Sequence, residues 1–303
     1  MDELTTLRRW FAEDLRLRTP VTRNMSVIEA FATVPRERLL AGPGPWHILP
    51  DVRTDLPFTT PDAAPHWLYH DVLVTIDSAR GLNNGLPSFW AHNLDHLDLL
   101  PGERVLQVGA GTGYYSAILA EMVGPQGRVV AIEHDAELAA RARHNLEPWR
   151  QIEVVSGDGR EQDAGEVDAI VVFAGSTHPA PLWLDRLAEG GRLLMPLTGD
   201  NRWGFMLRAI RRGDAFEAAA IGWVGIYPCA GGRDAEAAER LSRALAIEPP
   251  NPKPARNLPI CALHRGAPDP KAMHRVWYHA PGFWLERTPP QLGTVNGVPI
   301  LIR

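Results

Sequence analysis

The sequence predicts an α/β protein built on a doubly wound, mostly parallel sheet, with helices ahead of it and an extension behind. Three observations carry this. From residue 104 onward, short apolar runs alternate with amphipathic segments, the rhythm of parallel strands joined by crossover helices. The first run leads straight into a glycine-rich turn and a helix-period stretch. Later, residues 203–211 and 216–221 flank Arg212-Gly213-Asp214, a turn that predicts an antiparallel hairpin closing the sheet.

Taken in order, residues 3–17 and 24–33 carry apolar positions at helical spacing, with Thr19-Pro20 as punctuation between them. Residues 42–60 are rich in Pro and Gly and read as loop. A helix is predicted after Pro87. The buried strands are then 104–108, 128–133, 152–155, 167–173 and 192–196, with helices between most of them. In the first of these helices Tyr115, Ile118, Leu119 and Met122 share one face, and Asp135 is placed to cap the second. Beyond the hairpin, 234–246 reads as a helix, 249–259 as a Pro-rich connector, and 276–286 as a hairpin turning at Ala280-Pro281-Gly282. The expected organisation is an N-terminal helical and loop region (1–80), a central core (81–228) and an extension (229–303).

Composition narrows the function. The chain has 303 residues, 45% hydrophobic and 22% charged, enough for one sizeable core. All but Lys253 and Lys271 of its 31 basic residues are arginine, yet the formal charge is −5, so no basic field draws it to nucleic acid. The ten tryptophans are scattered rather than interleaved with basic clusters, and read as core and pocket-lining groups. No apolar stretch approaches the ~18 residues of a membrane helix, and the start lacks a charged-then-apolar leader. A soluble, cytoplasmic protein without a membrane partner is expected. Cys229 and Cys261 are too few for a disulfide framework and form no paired metal motif. His92 and His96 stand four apart on a predicted helix, a spacing able to hold a metal, but no third ligand accompanies them, so no metal site is predicted.

The most informative segment is Val105-Leu106-Gln107-Val108-Gly109-Ala110-Gly111-Thr112-Gly113, an apolar strand entering glycines and then a helix. Glycine lets the backbone approach a ligand, and the helix behind offers unpaired N–H groups. Tyr114 stands where a dinucleotide fingerprint wants its third glycine, which weakens a nicotinamide or flavin assignment. The next strand ends at Glu133, about 24 residues past Gly109, where a carboxylate can accept hydrogen bonds from ribose hydroxyls. The third ends in Ser156-Gly157-Asp158-Gly159, which puts another carboxylate at the same sheet edge. Together they make a nucleoside site.

With these features the chain resembles the class I S-adenosylmethionine-dependent methyltransferases, whose sheet is Rossmann-like. The resemblance implies S-adenosyl-L-methionine as cofactor. It places Gly109, Gly111 and Gly113, with Ala110 and Thr112 between them, along the methionine part, Glu133 at the ribose and Asp158, between Gly157 and Gly159, at the adenine amine. His134 would lie near the adenine face, and Phe173 would close the site from the fourth strand.

Within that class the chain resembles the protein-L-isoaspartate O-methyltransferase family from about Leu7 to Pro228. The shared stretches are Val34-Pro35-Arg36-Glu37-Arg38-Leu39, Leu100-Pro101-Gly102-Glu103-Arg104-Val105, Val167-Asp168-Ala169-Ile170-Val171-Val172 and Glu189-Gly190-Gly191-Arg192-Leu193-Leu194-Met195-Pro196. The family carries Gly-Gln-Thr-Ile-Ser-x-Pro ahead of the helix before its first core strand, with hydroxyls at the methyl-transfer site. Here the matching stretch is Gly81-Leu82-Asn83-Asn84-Gly85-Leu86-Pro87. Asn83 replaces the threonine and Gly85 the serine, so Asn83, Asn84 and Ser88 are the polar candidates for the acceptor side.

An ionised carboxylate acceptor needs no general base, only alignment and hydrogen bonds that asparagine amides can donate. His178, in Phe173-Ala174-Gly175-Ser176-Thr177-His178, adds a base for an acceptor with a proton to lose. Tyr69-His70-Asp71 either lines the acceptor pocket or packs at a strand edge.

The resemblance implies methylation of a carboxylate, specifically L-isoaspartyl residues in proteins or peptides, as in repair. Two alternatives stand beside it. One is an O- or N-methyltransferase acting on a peptide natural product or small metabolite, motivated by Gly85 and by the extension beyond Pro228. The other is a cofactor-binding adaptor without transfer, with residues 249–303 as its interaction arm.

Overall fold

The computed structural model describes residues 2–19, 23–40, 42–49, 57–247, 255–289, 291–295 and 298–302. The chain divides into two compact units, one formed by residues 1–174 with 182–194 and the other by 175–181 with 195–303. Pro20 of the predicted punctuation and residues 249–254 of the predicted connector lie outside the described residues.

The first unit opens with helices α1 (Glu3–Arg18), α2 (Ser26–Thr33) and α3 (Arg36–Leu39). Strands β1 (His47–Leu49), β2 (Phe58–Thr59), β3 (Leu73–Asp77) and β4 (Leu82–Asn83) form a small antiparallel sheet in the order β2-β1-β3-β4. The loop expected over 42–60 thus holds two short strands. Composition hid them, because pairs such as Ile48 with Phe58 and Ile48 with Val74 are set by the partner strand rather than by local alternation.

Next come α4 (Pro87–Leu97), β5 (Arg104–Val108), α5 (Tyr114–Val123), β6 (Arg128–Glu133), α6 (Ala136–Asn145), β7 (Ile152–Ser156) and β8 (Val167–Val172). After α7 (Pro181–Arg186), β9 (Leu187–Thr198) begins in this unit and runs on into the second. β5 pairs in parallel with β6 and β8, β6 with β7, and β8 with the first part of β9, giving the order β9-β8-β5-β6-β7. β9 is longer than the expected 192–196, with a register shift between Val167 and Ala169 of its partner.

Burial on both faces explains the continuous apolar runs: Val105, Val129, Ala169, Ile170 and Leu193 are all inaccessible to solvent. α5 buries Tyr115, Ile118, Leu119 and Met122, but Tyr114, Ser116, Ala117, Ala120 and Val123 are buried as well, so the helix is enclosed nearly all round rather than along one stripe. Asp135 caps α6 by accepting the N–H groups of Glu137 and Leu138. Arg192 pairs with Glu103 at 2.6 Å and donates to the Leu97 and Asp98 carbonyls, tying the end of α4 to the entry of β5.

In the second unit β10 (Trp203–Arg212) and β11 (Ala215–Gly225) form the predicted hairpin, closed between Arg212 and Ala215. α8 (Ala235–Ile247) follows. The hairpin does not end the unit: β12 (Ile260–Arg265) pairs with β11, β14 (Phe283–Arg287) with β12, and β13 (Val276–Ala280) with β14, all antiparallel. Phe216, Leu263, Phe283 and Leu285 bury the inner face. β15 (Gln291–Val295) and β16 (Val298–Ile302) make a separate ladder. No helix among the described residues is long and apolar enough to cross a membrane.

Candidate functional site

β5 delivers the chain to the glycine turn. Gly109 and Ala110 donate to the Ile132 carbonyl at 2.8 and 3.1 Å, so the turn grows out of the β5–β6 ladder. Gly113, at φ +98°, starts α5 in left-handed backbone, and an added Cβ would lie 2.8 Å from Leu146. Here the helix packs too closely on the end of α6 for any side chain.

Glu133 does more than the sequence predicts. Its Oε2 accepts the Gly111 N–H at 2.7 Å and its Oε1 the Asp135 N–H at 3.0 Å, and the residue is only 9% exposed. A buried carboxylate taking two backbone donors fixes both the glycine turn and the entry to α6, and each oxygen keeps a further lone pair. The Asn145 side chain donates to the Thr112 carbonyl at 2.9 Å, while Thr112 Oγ1 is buried with no partner among the described residues.

The third edge feature is held as tightly. Gly157 donates to the Glu133 carbonyl at 2.9 Å, Asp158 Oδ1 accepts the Arg160 N–H at 2.9 Å, and the buried Trp183 indole donates to the Gly159 carbonyl at 2.7 Å. His134 is exposed just beyond β6.

The Asn83–Ser88 turn is carried by β4 and the start of α4. Asn83 Oδ1 accepts the Gly85 N–H at 2.8 Å, and the Asn84 N–H donates to the Val74 carbonyl at 2.9 Å. Asn84 Nδ2 is buried with no partner among the described residues. The Ser88 N–H is taken by Asp71 Oδ1 at 2.8 Å, which caps α4 from a distant segment.

The turn and the glycine loop meet within the first unit. The Tyr115 hydroxyl reaches the Gly85 carbonyl at 3.4 Å, and burial holds that phenol well above its usual pKa, so it stays a donor. Phe173, at the end of β8, stacks on Trp90 with centroids 3.7 Å apart and packs against Gly109. Ile76 of β3 faces Gly111.

His178 is placed in the second unit. Its Nδ1 is 2.8 Å from Thr177 Oγ1, whose loop is held by the Tyr278 hydroxyl donating to the Thr177 carbonyl at 2.8 Å. Cys229 and Cys261 are free thiols. His92 and His96 pack ring edge to face at 4.7 Å, and the described residues contain no group of three or more His, Cys, Asp or Glu placed to hold a metal.

Several residues shape the site in ways that no motif announces. Arg36 is wholly buried, donates to the His70 and Val72 carbonyls at 3.3 and 3.0 Å, and lies over the rings of Phe11 and Tyr114. It sets the segment carrying Asp71. Tyr69 accepts from Arg8 Nε at 3.1 Å and donates to Glu37, so Tyr69-His70-Asp71 is a packed bracket behind the turn. Arg80 joins Asp77 at 2.7 Å and also pairs with Asp135, linking the β3–β4 hairpin to the cap of α6. Trp90 was visible only as one of ten tryptophans.

Comparison with known proteins points to one family. The family model described as Protein-L-isoaspartate(D-aspartate) O-methyltransferase matches residues 58–221. A protein-L-isoaspartate O-methyltransferase of Pyrobaculum neutrophilum is 30% identical over 217 residues, 70% of this chain and 94% of that protein. Its counterpart in Koribacter versatilis is 34% identical over 188 residues, 61% of this chain and 73% of that one. Among solved structures, a protein-L-isoaspartate O-methyltransferase superposes with a TM-score of 0.62 at 22% identity, covering 84% of this chain and 72% of its own. A Plasmodium falciparum relative in complex with S-adenosyl-L-homocysteine gives 0.57 at 19% identity, covering 73% and 97%. At these identities the two structures bear on the fold alone.

Proposed function

Because the chain belongs to the protein-L-isoaspartate O-methyltransferase family, we propose that it transfers a methyl group from S-adenosyl-L-methionine to a carboxylate, that of L-isoaspartyl residues in proteins or peptides. The observation that carries this is the glycine turn braced by the buried Glu133 carboxylate at the end of the parallel strands, where ligands of such sheets collect. The residues fit the cofactor. Thr112 Oγ1 is buried and unpartnered among the described residues, both Glu133 oxygens keep a lone pair, and a Cβ on Gly111 would meet nothing nearer than Ile76 Cδ1 at 3.9 Å.

In this assignment residues Gly109 to Gly113 hold the methionine part, Glu133 the ribose, Asp158 with Gly157 and Gly159 the adenine amine, His134 the adenine face, and Phe173 the wall beside Gly109. When bound, the cofactor supplies an electrophilic methyl on a sulfonium. The protein's own task is positional, since a carboxylate with a pKa near ~4 is already ionised at neutral pH. Asn84 Nδ2 donates to one acceptor oxygen. Asn83 fixes the turn through the Gly85 N–H, and Ser88 presents its side chain from the first turn of α4. Trp90, Tyr115 and Phe173 exclude water beside it. In the released ester the neighbouring backbone nitrogen attacks the ester carbonyl and displaces methanol to give a succinimide, whose hydrolysis partly restores aspartate, a repair role exercised in the cytoplasm.

For function the proposed division is 1–80 as an N-terminal region whose helices and loops also carry β1, β2 and β3, 81–228 as the methyltransferase core and 229–303 as the extension. A second assignment keeps the same cofactor and takes an O- or N-acceptor on a peptide natural product or small metabolite, which Gly85 in place of the family's serine favours. Labelled cofactor with an isoaspartyl peptide and its aspartyl twin tests the choice. Preferential labelling of the isoaspartyl peptide is expected, and equal or absent labelling rejects the repair role.

A further inference from the structure

The turn after β7 is gripped by a side chain from a different element. Trp183, on α7, is wholly buried, and its indole N–H donates to the Gly159 carbonyl at 2.7 Å. The same ring carries the Arg160 guanidinium over its face, with Cζ 5.5 Å from the centroid. The Arg160 N–H in turn donates to Asp158 Oδ1 at 2.9 Å. The Gly159 carbonyl and the Arg160 N–H are the two ends of one peptide group, which is planar and trans, so they point in opposite directions. The indole therefore pins the oxygen end of a rigid unit whose nitrogen end holds the Asp158 carboxylate.

The turn has little slack elsewhere. A Cβ on Gly159 would lie 2.6 Å from Val108 Cγ1 at the end of β5, and one on Gly157 would lie 2.9 Å from Gln162 Nε2. The Glu161 and Gln162 N–H groups both reach the Asp158 carbonyl at 3.1 Å, and Gly157 donates to the Glu133 carbonyl. These bonds fix the backbone of Asp158, whereas the direction of its carboxylate is set by the Arg160 N–H. Gly159 is buried, so without the indole its carbonyl would lack a partner, and a buried unsatisfied acceptor drives the peptide to turn toward another donor.

We propose that Trp183 is a positioning residue for the base of the cofactor: through the Gly159–Arg160 peptide it aims the Asp158 carboxylate and so sets the preference for a purine that carries an amine. This rests on the assignment above that puts Asp158 at the adenine amine. An ionised carboxylate only accepts hydrogen bonds, so an amine there is bound and a carbonyl in its place meets oxygen with oxygen. The selectivity depends on direction, and direction is what the indole holds.

The test measures, on the full chain, calorimetric affinity for S-adenosyl-L-homocysteine and for S-inosyl-L-homocysteine, which bears a carbonyl where adenine bears its amine, together with the thermal midpoint. Wild type is compared with Trp183→Phe, which keeps a buried ring and loses the donor, and with Trp183→His, which keeps a ring N–H at the position of the indole nitrogen and loses bulk. Wild type is expected to prefer the adenosyl compound by about 100-fold, since the analogue leaves the carboxylate unpaired. Trp183→Phe should weaken the adenosyl compound by about tenfold and the inosyl compound by less than about threefold, so that the ratio falls. Trp183→His should keep the ratio within about threefold of wild type, although its thermal midpoint falls further because the lost ring leaves a larger cavity. An indole that only fills space would order both readouts alike. A ratio unmoved in Trp183→Phe overturns the proposal, as does a ratio that falls further in Trp183→His than in Trp183→Phe. If the histidine variant does not fold, the ratio in Trp183→Phe decides alone. A wild type that binds both compounds equally instead overturns the Asp158 assignment, and one that binds neither overturns the cofactor assignment.

Discussion

The glycine turn and the Asn83–Ser88 turn lie in the same unit and are held in opposite ways. The first is fixed by backbone N–H groups just beyond the strands, those of Gly109, Ala110 and Gly111 after β5, Asp135 after β6 and Gly157 after β7, converging on the Ile132 and Glu133 carbonyls and on one buried carboxylate. The second is fixed by side chains from distant segments: Asp71 on the Ser88 N–H, Tyr115 on the Gly85 carbonyl, and Trp90 against Gly85. A backbone frame tolerates change in most surrounding side chains. A side-chain frame can be retuned by two substitutions.

Glu133→Gln is expected to have the largest effect. An amide in place of the carboxylate leaves one of the Gly111 and Asp135 N–H groups facing an NH2, so affinity for S-adenosyl-L-homocysteine should fall by about 100-fold by calorimetry, the scale of a lost charge-assisted bond. A change below threefold would break the comparison, because the glycine turn would then hold without its brace. Gly113→Ala comes next. Its positive φ and the 2.8 Å approach to Leu146 predict a loss of about 2 kcal/mol in urea unfolding.

Asn84→Ala sharpens the other half. Removing the buried amide should lower kcat/KM on the isoaspartyl peptide by about tenfold and leave cofactor affinity unchanged. Loss of both together would mean the two turns are not independent.

The smallest effect lies at the Asp77–Arg80–Asp135 link. The Leu138 N–H first, and the Arg80 side chain second, hold the Asp135 pKa below its ordinary value of 3.8. A carboxylate depressed in the folded state stabilises it above the unfolded pKa and loses that contribution as the pH falls through the folded one. Arg80→Ala removes one cause, so the variant should be slightly less stable than wild type near neutral pH in urea unfolding followed by circular dichroism, and that difference should shrink as the pH falls and vanish below the folded pKa.

Much of the cofactor side was legible because its signals are local. Short apolar runs at 104–108, 128–133 and 167–173 mark strands buried on both faces, and Asp135 announces its cap by position. Glu133 was legible as an edge carboxylate, but its bonds to Gly111 and Asp135 were not, since a sequence position does not say which donors a side chain meets. Arg36 stands in a recognisable motif, yet its place beneath residues 70–72 depends on how α3 packs. The strands β1, β2 and β12 were missed for a related reason: their hydrogen bonds belong to partners farther along the chain, whereas the 276–286 hairpin, closed on itself, was legible as β13 and β14.

By itself, then, the order of residues determined the α/β rhythm, the strand-to-helix glycine turn and its two acids, because backbone periodicity and local hydrogen bonding are encoded within a few positions of one another. Only the tertiary structure decided that Gly85 is empty because Trp90 is there, that Asn84 keeps a buried donor without a partner among the described residues, and that Asp71 caps α4. Those are contacts between side chains brought together by packing, and close-packed interiors settle them by shape rather than by sequence distance.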